Sequence, residues 1–273
     1  MSGTASVPAP HAAFLASARA RFASDPRFIG VAAGGSYAAN ALDEFSDLDL
    51  VIVVEPDVYD AVMADRQAIA AGLGPLLAAF TGEHVNEPRL LICLYGPPLL
   101  HVDLKFVRLE DAADRVEEPV IVWERDRRLR DTLDTRPARY PPPDPQGIED
   151  RFWVWVHYIA TKIGRGELLE AVDALSFVRE LALGPLALAS RGARPSGVRK
   201  LERVAPDLAA QMAATVAACD ADSCCAALNA AIRLYRTLRD AVASPGLRRH
   251  HAAEEAAVDY AEAIAKNATA GSA

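Results

Sequence analysis

The chain has 273 residues, a formal net charge of −8 and four cysteines. Polar or charged residues interrupt every apolar stretch, which excludes a membrane-spanning helix by sequence. The basic footprint that a long nucleic acid requires is also missing: Arg125 to Arg130 is a local cluster broken by Asp126, and an acidic balance suits a small cationic partner better.

Met1 to Pro10 has neither the basic start nor the apolar run of a secretory signal and reads as a disordered tail. His11 to Ala23 reads as a helix leading into a short apolar strand, Ile29 to Ala33. Gly34 and Gly35 break that strand. Paired glycines open backbone angles closed to other residues and let a ligand approach the main chain. Ser36 offers a cap and a hydroxyl to a short helix expected over Tyr37 to Leu42, and the free N–H groups at a helix start attract phosphate. Asp43 to Ser46 is the turn out of it.

Leu48 to Val54 is a strong β pattern. Side chains on a strand alternate, so Asp47 and Asp49 project from one face while Leu48 and Leu50 enter the core. Two adjacent carboxylates repel each other and raise each other's pKa unless a cation sits between them. Magnesium is the expected cation, because it takes carboxylate and phosphate oxygens together. The combination of a glycine turn and an Asp-x-Asp strand start is expected to bind a nucleoside triphosphate with its magnesium.

Asp57 to Leu73 is a second helix, closed by Gly72, Gly74 and Pro75. Leu90 to Tyr95, the turn Gly96-Pro97-Pro98 and the strand Leu99 to Val107 follow. In the last strand Leu100, Val102, Leu104 and Phe106 alternate with the face carrying His101, Asp103 and Lys105, which makes Asp103 a third candidate carboxylate. Pro119 to Trp123 reads as an edge strand. Arg136 to Gly147 holds five prolines and is expected to be an irregular linker. It separates a catalytic domain over 11–135 from a helical domain over 148–273. In the latter, helices are expected over Ile148–Arg165, Leu168–Ser190, Pro206–Cys219, Ser223–Ala243 and Arg248–Lys266. The first of them carries Phe152, Trp153, Trp155, His157 and Tyr158, a set suited to core packing or to an acceptor pocket. Cys93 reads as core, and Cys219, Cys224 and Cys225 lie without matching histidines, so neither a zinc site nor a disulfide framework is expected and the protein reads as reduced and cytoplasmic.

Residues 28 to 107 resemble the nucleotidyltransferase superfamily of the DNA polymerase β type. Its signature is a hydrophobic residue, Gly, Gly or Ser, a spacer, then Asp, hydrophobic, Asp or Glu. This chain matches as Ala33-Gly34-Gly35, or as Gly34-Gly35-Ser36 with glycine in the hydrophobic place, followed by Asp47-Leu48-Asp49. Size and layout are similar to the two-domain aminoglycoside nucleotidyltransferases. The resemblance implies an α/β (α+β) domain with a mixed sheet, followed by an all-α helical bundle that helps hold the acceptor. It implies two magnesium ions held by Asp47, Asp49 and Asp103. ATP or another nucleoside triphosphate would bind through Gly34, Gly35 and Ser36, and a small, cationic acceptor of the aminoglycoside type would receive the nucleotide. Asp103 would complete the metal site or take the acceptor's proton. In two-domain relatives a lysine on the helix corresponding to Ile148–Arg165 approaches the triphosphate, which makes Lys162 the candidate here. That helix has no carboxylate between Arg151 and Gly166, which favours Asp103 as the base. A homodimer is compatible with the family.

Three other functions compete. Adenylylation of a protein hydroxyl fits the motif, but proteins of that kind are usually little more than the catalytic domain. An RNA-cleaving helical module would need Arg151 and His157 to converge, and six residues on a helix put them roughly 240° apart. A catalytically dead, nucleotide-binding regulatory protein is opposed by the intact Asp47, Asp49 and Asp103.

Overall fold

A computed structural model describes residues 7–242 and 246–271 of the chain. The chain divides into two compact units, Met1–Tyr140 and Pro141–Ala273.

The first unit is built on a six-stranded mixed sheet. Its strands are β1 (Phe28–Ala33), β2 (Leu48–Val54), β3 (Leu76–Gly82), β4 (Glu87–Tyr95), β5 (Leu100–Arg108) and β6 (Val120–Glu124). The spatial order is β3-β4-β5-β2-β1-β6. β2 and β5 are parallel and all other neighbours are antiparallel. Helices α1 (Ala9–Ala23), α2 (Gly35–Ala38), α3 (Tyr59–Ala71) and α4 (Arg128–Leu133) complete the unit.

The central strands are apolar because both sheet faces are covered. On one face Phe28, Val31, Leu50, Ile52 and Phe106 pack with Phe14 and Phe22 of α1 and Val62 and Ile69 of α3. On the other, Ile29, Ala32, Val53 and Val107 pack with Leu129 and Leu133 of α4. The start of β2 is different: Leu48 and Leu50 are buried, whereas Asp49 and Val51 are half-buried. The polar face of β2 therefore opens only at the end that carries Asp49.

The second unit is helical: α5 (Pro145–Gly164), α6 (Leu168–Val178), α7 (Gly184–Ala189), α8 (Leu201–Val204), α9 (Pro206–Ala213), α10 (Ala221–Val242) and α11 (His251–Gly271). Its core centres on Phe152 of α5, stacked on Tyr235 of α10 with ring centroids 3.7 Å apart. Around these rings lies a buried polar knot. Glu149 accepts hydrogen bonds from the Tyr235 hydroxyl (2.5 Å), the Trp153 indole (3.1 Å), the His250 backbone N–H (3.0 Å) and Arg239 (3.3 Å). Arg239 also reaches Glu254 of α11 at 2.8 Å. A buried carboxylate is tolerated because every neighbour is a donor, and the same bonds tie three helices together.

Several elements depart from the sequence reading. Residues 1–6 of the expected tail lie outside the described residues, but Ala9 and Pro10 already belong to α1, with Pro8 at its N-cap. The short helix after the glycines starts at Gly35, two residues earlier than expected, and Gly34 rather than Ser36 is its N-cap. Strand β3 has no counterpart in that reading. It is an edge strand with Ala78 and Ala79 at its centre, ordered by pairing with β4. The linker read over 136–147 is too long, since α5 begins at Pro145. Proline suits a helix start, where its missing N–H has no partner to lose, and Asp144 caps the helix by accepting from Gly147 N–H at 2.9 Å. The helix expected over 168–190 contains a π-helical turn, Arg179–Leu183. Pro185 follows it, and the wide turn relieves the clash of a proline ring with the carbonyl four residues before. The helix read over 206–219 ends at Ala213.

Candidate functional site

The site begins where β1 runs out. Gly34 N–H donates to the Asp49 carbonyl at 2.9 Å, which locks the end of β1 onto the start of β2. Gly35 has φ +54° in the left-handed region, and a Cβ there would overlap Asp49 Oδ2. Glycine is therefore required on two counts, backbone angle and close approach of the carboxylate. Ser36 follows in the first turn of α2, partly exposed.

The loop from α2 to β2 is fixed from both sides. Asp43 Oδ1 accepts from Phe45 N–H at 3.1 Å and from Ser46 Oγ at 2.8 Å. His11 of α1, itself buried, donates from Nε2 to the Ser46 carbonyl at 2.7 Å. A carbonyl can only accept, so Nε2 carries the proton. Asp47 thus follows a residue held by the first helix.

Asp103 enters through register. β2 and β5 run parallel with Asp49 opposite Asp103 and Leu48 opposite Val102. The two carboxylate positions are direct neighbours on adjacent strands, with side chains on the same sheet face. His101 Nε2 donates to Asp103 Oδ1 at 2.9 Å. Burial pushes the Asp103 carboxyl up, the hydrogen bond and charge of His101 pull it down, and the charge of Asp47 pushes it up again. Lys105, on the same strand face, pairs with Glu87 at 2.7 Å instead of approaching the carboxylates.

One carboxylate was invisible to sequence reading. Glu117 Oε1 accepts from Gly35 N–H at 2.7 Å, and a Cβ at Gly34 would lie 2.7 Å from the same oxygen. Nothing local marks Glu117. Its signal is the antiparallel pairing of Ala33 with Val120, which brings the segment before β6 to the glycine turn.

Lys162 belongs to the helical unit, on α5. Its ammonium lies 2.6 Å from Glu167 and 3.0 Å from Glu170 and 5.1 Å from the centre of the Tyr158 ring. Those carboxylates, Glu167 first, hold its pKa above the ordinary lysine value.

Among the described residues, no three or more His, Cys, Asp or Glu side chains are gathered so as to hold a metal ion by themselves. The donor set that is present consists of hard oxygens: Asp49 beside Asp103, with Asp47 close enough to act on Asp103. It fits magnesium taken jointly by one or two carboxylates and substrate phosphates, and it does not fit an all-protein cage. No helix among the described residues is long and apolar enough to cross a membrane. All four cysteines are free thiols.

Residues 18–126 match the family model of the nucleotidyltransferase domain, and the chain accordingly carries a nucleotidyltransferase domain and is classed with the transferases of nucleotidyl groups. No curated protein matches it in sequence. Solved structures similar to it include an aminoglycoside 6-adenyltransferase from Bacillus subtilis, 16% identical over 92% of this chain and 97% of that one, with a TM-score of 0.41. A nucleotidyltransferase-like protein from Exiguobacterium sibiricum 255-15 is 17% identical over 80% of this chain and 72% of that one, with a TM-score of 0.35.

Proposed function

We propose that this protein moves a nucleoside monophosphate from a nucleoside triphosphate, ATP or another, to a hydroxyl of a small cationic molecule. The observation that carries the proposal is the register of Asp49 with Asp103 directly beside the Gly34–Gly35 turn.

Asp47, Asp49 and Asp103 would hold magnesium, and its charge would screen the triphosphate and stabilise the leaving pyrophosphate. The backbone of Gly34 and Gly35 and the Ser36 hydroxyl are assigned to the β- and γ-phosphates. Asp103 is assigned the proton of the acceptor hydroxyl. Its pKa is already displaced in the direction a base needs, through burial and the charge of Asp47. The acceptor oxygen bonds to the α-phosphorus, the bond from that phosphorus to the β-phosphate oxygen breaks, pyrophosphate leaves, and the proton passes to Asp103. Lys162 is assigned to the triphosphate, a role that requires it to exchange Glu167 and Glu170 for phosphate oxygens.

A net charge of −8 supports a cationic acceptor, and aminoglycoside-type antibiotics are the first class to test. The test is magnesium-dependent pyrophosphate release from each nucleoside triphosphate against a panel of aminoglycosides, lincosamides and metabolites, with mass spectrometry of the acceptor. Acceptor-dependent release that Asp49→Ala abolishes supports the proposal. Nucleotide binding with no response from any small acceptor overturns it in favour of a protein hydroxyl.

A further inference from the structure

In the helical unit, α5 and α6 line an open cavity of about 460 Å³, within the range of roughly 300–1,000 Å³ typical of small-molecule sites. Residues at helical spacing face each other across it. Buried Ile159 and Val178 form its floor. Trp155 and Phe177 stand perpendicular, with ring centroids 5.3 Å apart. Phe177 and Tyr158 remain 48% and 44% exposed at its walls. Rings half exposed around a concavity are an incomplete contact surface, not a finished core.

Charge completes the description. Glu170 at the rim accepts from the Tyr158 hydroxyl and pairs with Lys162. Arg165 also acts on Glu170, from farther away. Asp173, the other rim carboxylate, makes no ion pair among the described residues. Of the two lining carboxylates Glu170 is matched by Lys162, so the lining keeps a negative excess at Asp173. A ligand that satisfies both features carries an apolar ring body for Trp155 and Phe177 and one ammonium group for Asp173 and the ring faces. A polyamino sugar brings several ammonium groups, for which the lining offers one carboxylate outside an ion pair.

We propose that this cavity binds a small amphipathic organic cation, an amine attached to an apolar ring system. This binding site does not depend on the transferase reading.

The test is calorimetric titration of the full chain with naphthylethylamine, with its neutral counterpart naphthylethanol, and with the polyamino sugar neamine. The amine is expected to bind saturably, at least about tenfold more tightly than the alcohol, and more tightly than neamine. Asp173→Asn should bring the amine down to the alcohol's affinity, and Phe177→Ala should weaken both. Asp173 is exposed, so its variant folds, and matched circular dichroism melts check this. Absence of saturation, equal affinity of amine and alcohol, tighter binding of neamine, or an unaffected Asp173→Asn would each overturn the proposal. Binding is read without nucleotide, so its failure is separate from failure of pyrophosphate release.

Discussion

Asp49 and Asp103 are register partners on the two parallel strands at the centre of the sheet. Burial and the charge of Asp47 raise the pKa of Asp103 in the folded protein. A carboxyl raised above its unfolded value contributes stability at low pH and loses it as pH rises through the folded value. At neutral pH the ionised Asp103 therefore weakens the fold. Asp103→Asn should raise the melting temperature by a few degrees at pH 7.5 while lowering transfer at least about 100-fold. Thermal melts with and without magnesium and a nucleoside triphosphate together check this: the pair should stabilise the wild type more than the variant.

Gly35→Ala should damage function without unfolding the protein. The new methyl group would overlap Asp49 Oδ2, and φ +54° is unfavourable for alanine. A strain of about 1–3 kcal/mol is expected, read as a lower midpoint in denaturant unfolding. Displacement of Asp49 should lower kcat/KM far more than the stability loss alone accounts for.

Glu117 accepts the Gly35 N–H that we assign to the triphosphate. A carboxylate and a phosphate compete for the same donor and repel each other. Glu117→Gln should therefore tighten nucleotide binding several-fold, seen as a lower dissociation constant in calorimetry. Weaker binding would place Glu117 among the groups that hold the metal.

Glu87 gives a pH signature distinct from the site. The Arg89 hydrogen bond, with help from Lys105 and against the cost of burial, lowers its pKa from 4.5 to about 2. A depressed carboxyl stabilises above its unfolded value and loses that contribution as pH falls through the folded one. Between pH 5 and pH 2, thermal stability should fall more steeply for the wild type than for Glu87→Gln. Parallel curves would show that the pair contributes nothing.

Much of the first unit was legible because its central strands are written in short apolar runs, with alternation at the start of β2 and along β5. Leu48 to Val54 is read from sequence with the bounds of β2 itself. The faces of Asp49 and Asp103 follow from the same alternation. Their adjacency does not, since it depends on strand order. Strand β3 was hidden because Ala78 and Ala79 carry no β signal and the strand exists through its pairing with β4. Glu117 and His11 act through contacts 82 and 35 residues away in sequence, beyond any local pattern. In the helical unit, periodicity located the long helices but not the π turn before Pro185. Helical spacing in residues 168–190 continues through it, and only the proline hints that the ladder must widen.

The most direct measurement follows two labels on one nucleoside triphosphate, one on the α-phosphorus and one on the γ-phosphorus, during turnover with a responsive acceptor and magnesium. The account predicts that the α label appears on the acceptor, that the γ label leaves as pyrophosphate, and that Asp49→Asn stops both. A γ label on the acceptor, or hydrolysis that leaves both labels in solution, would contradict nucleotidyl transfer at the Asp49–Asp103 pair.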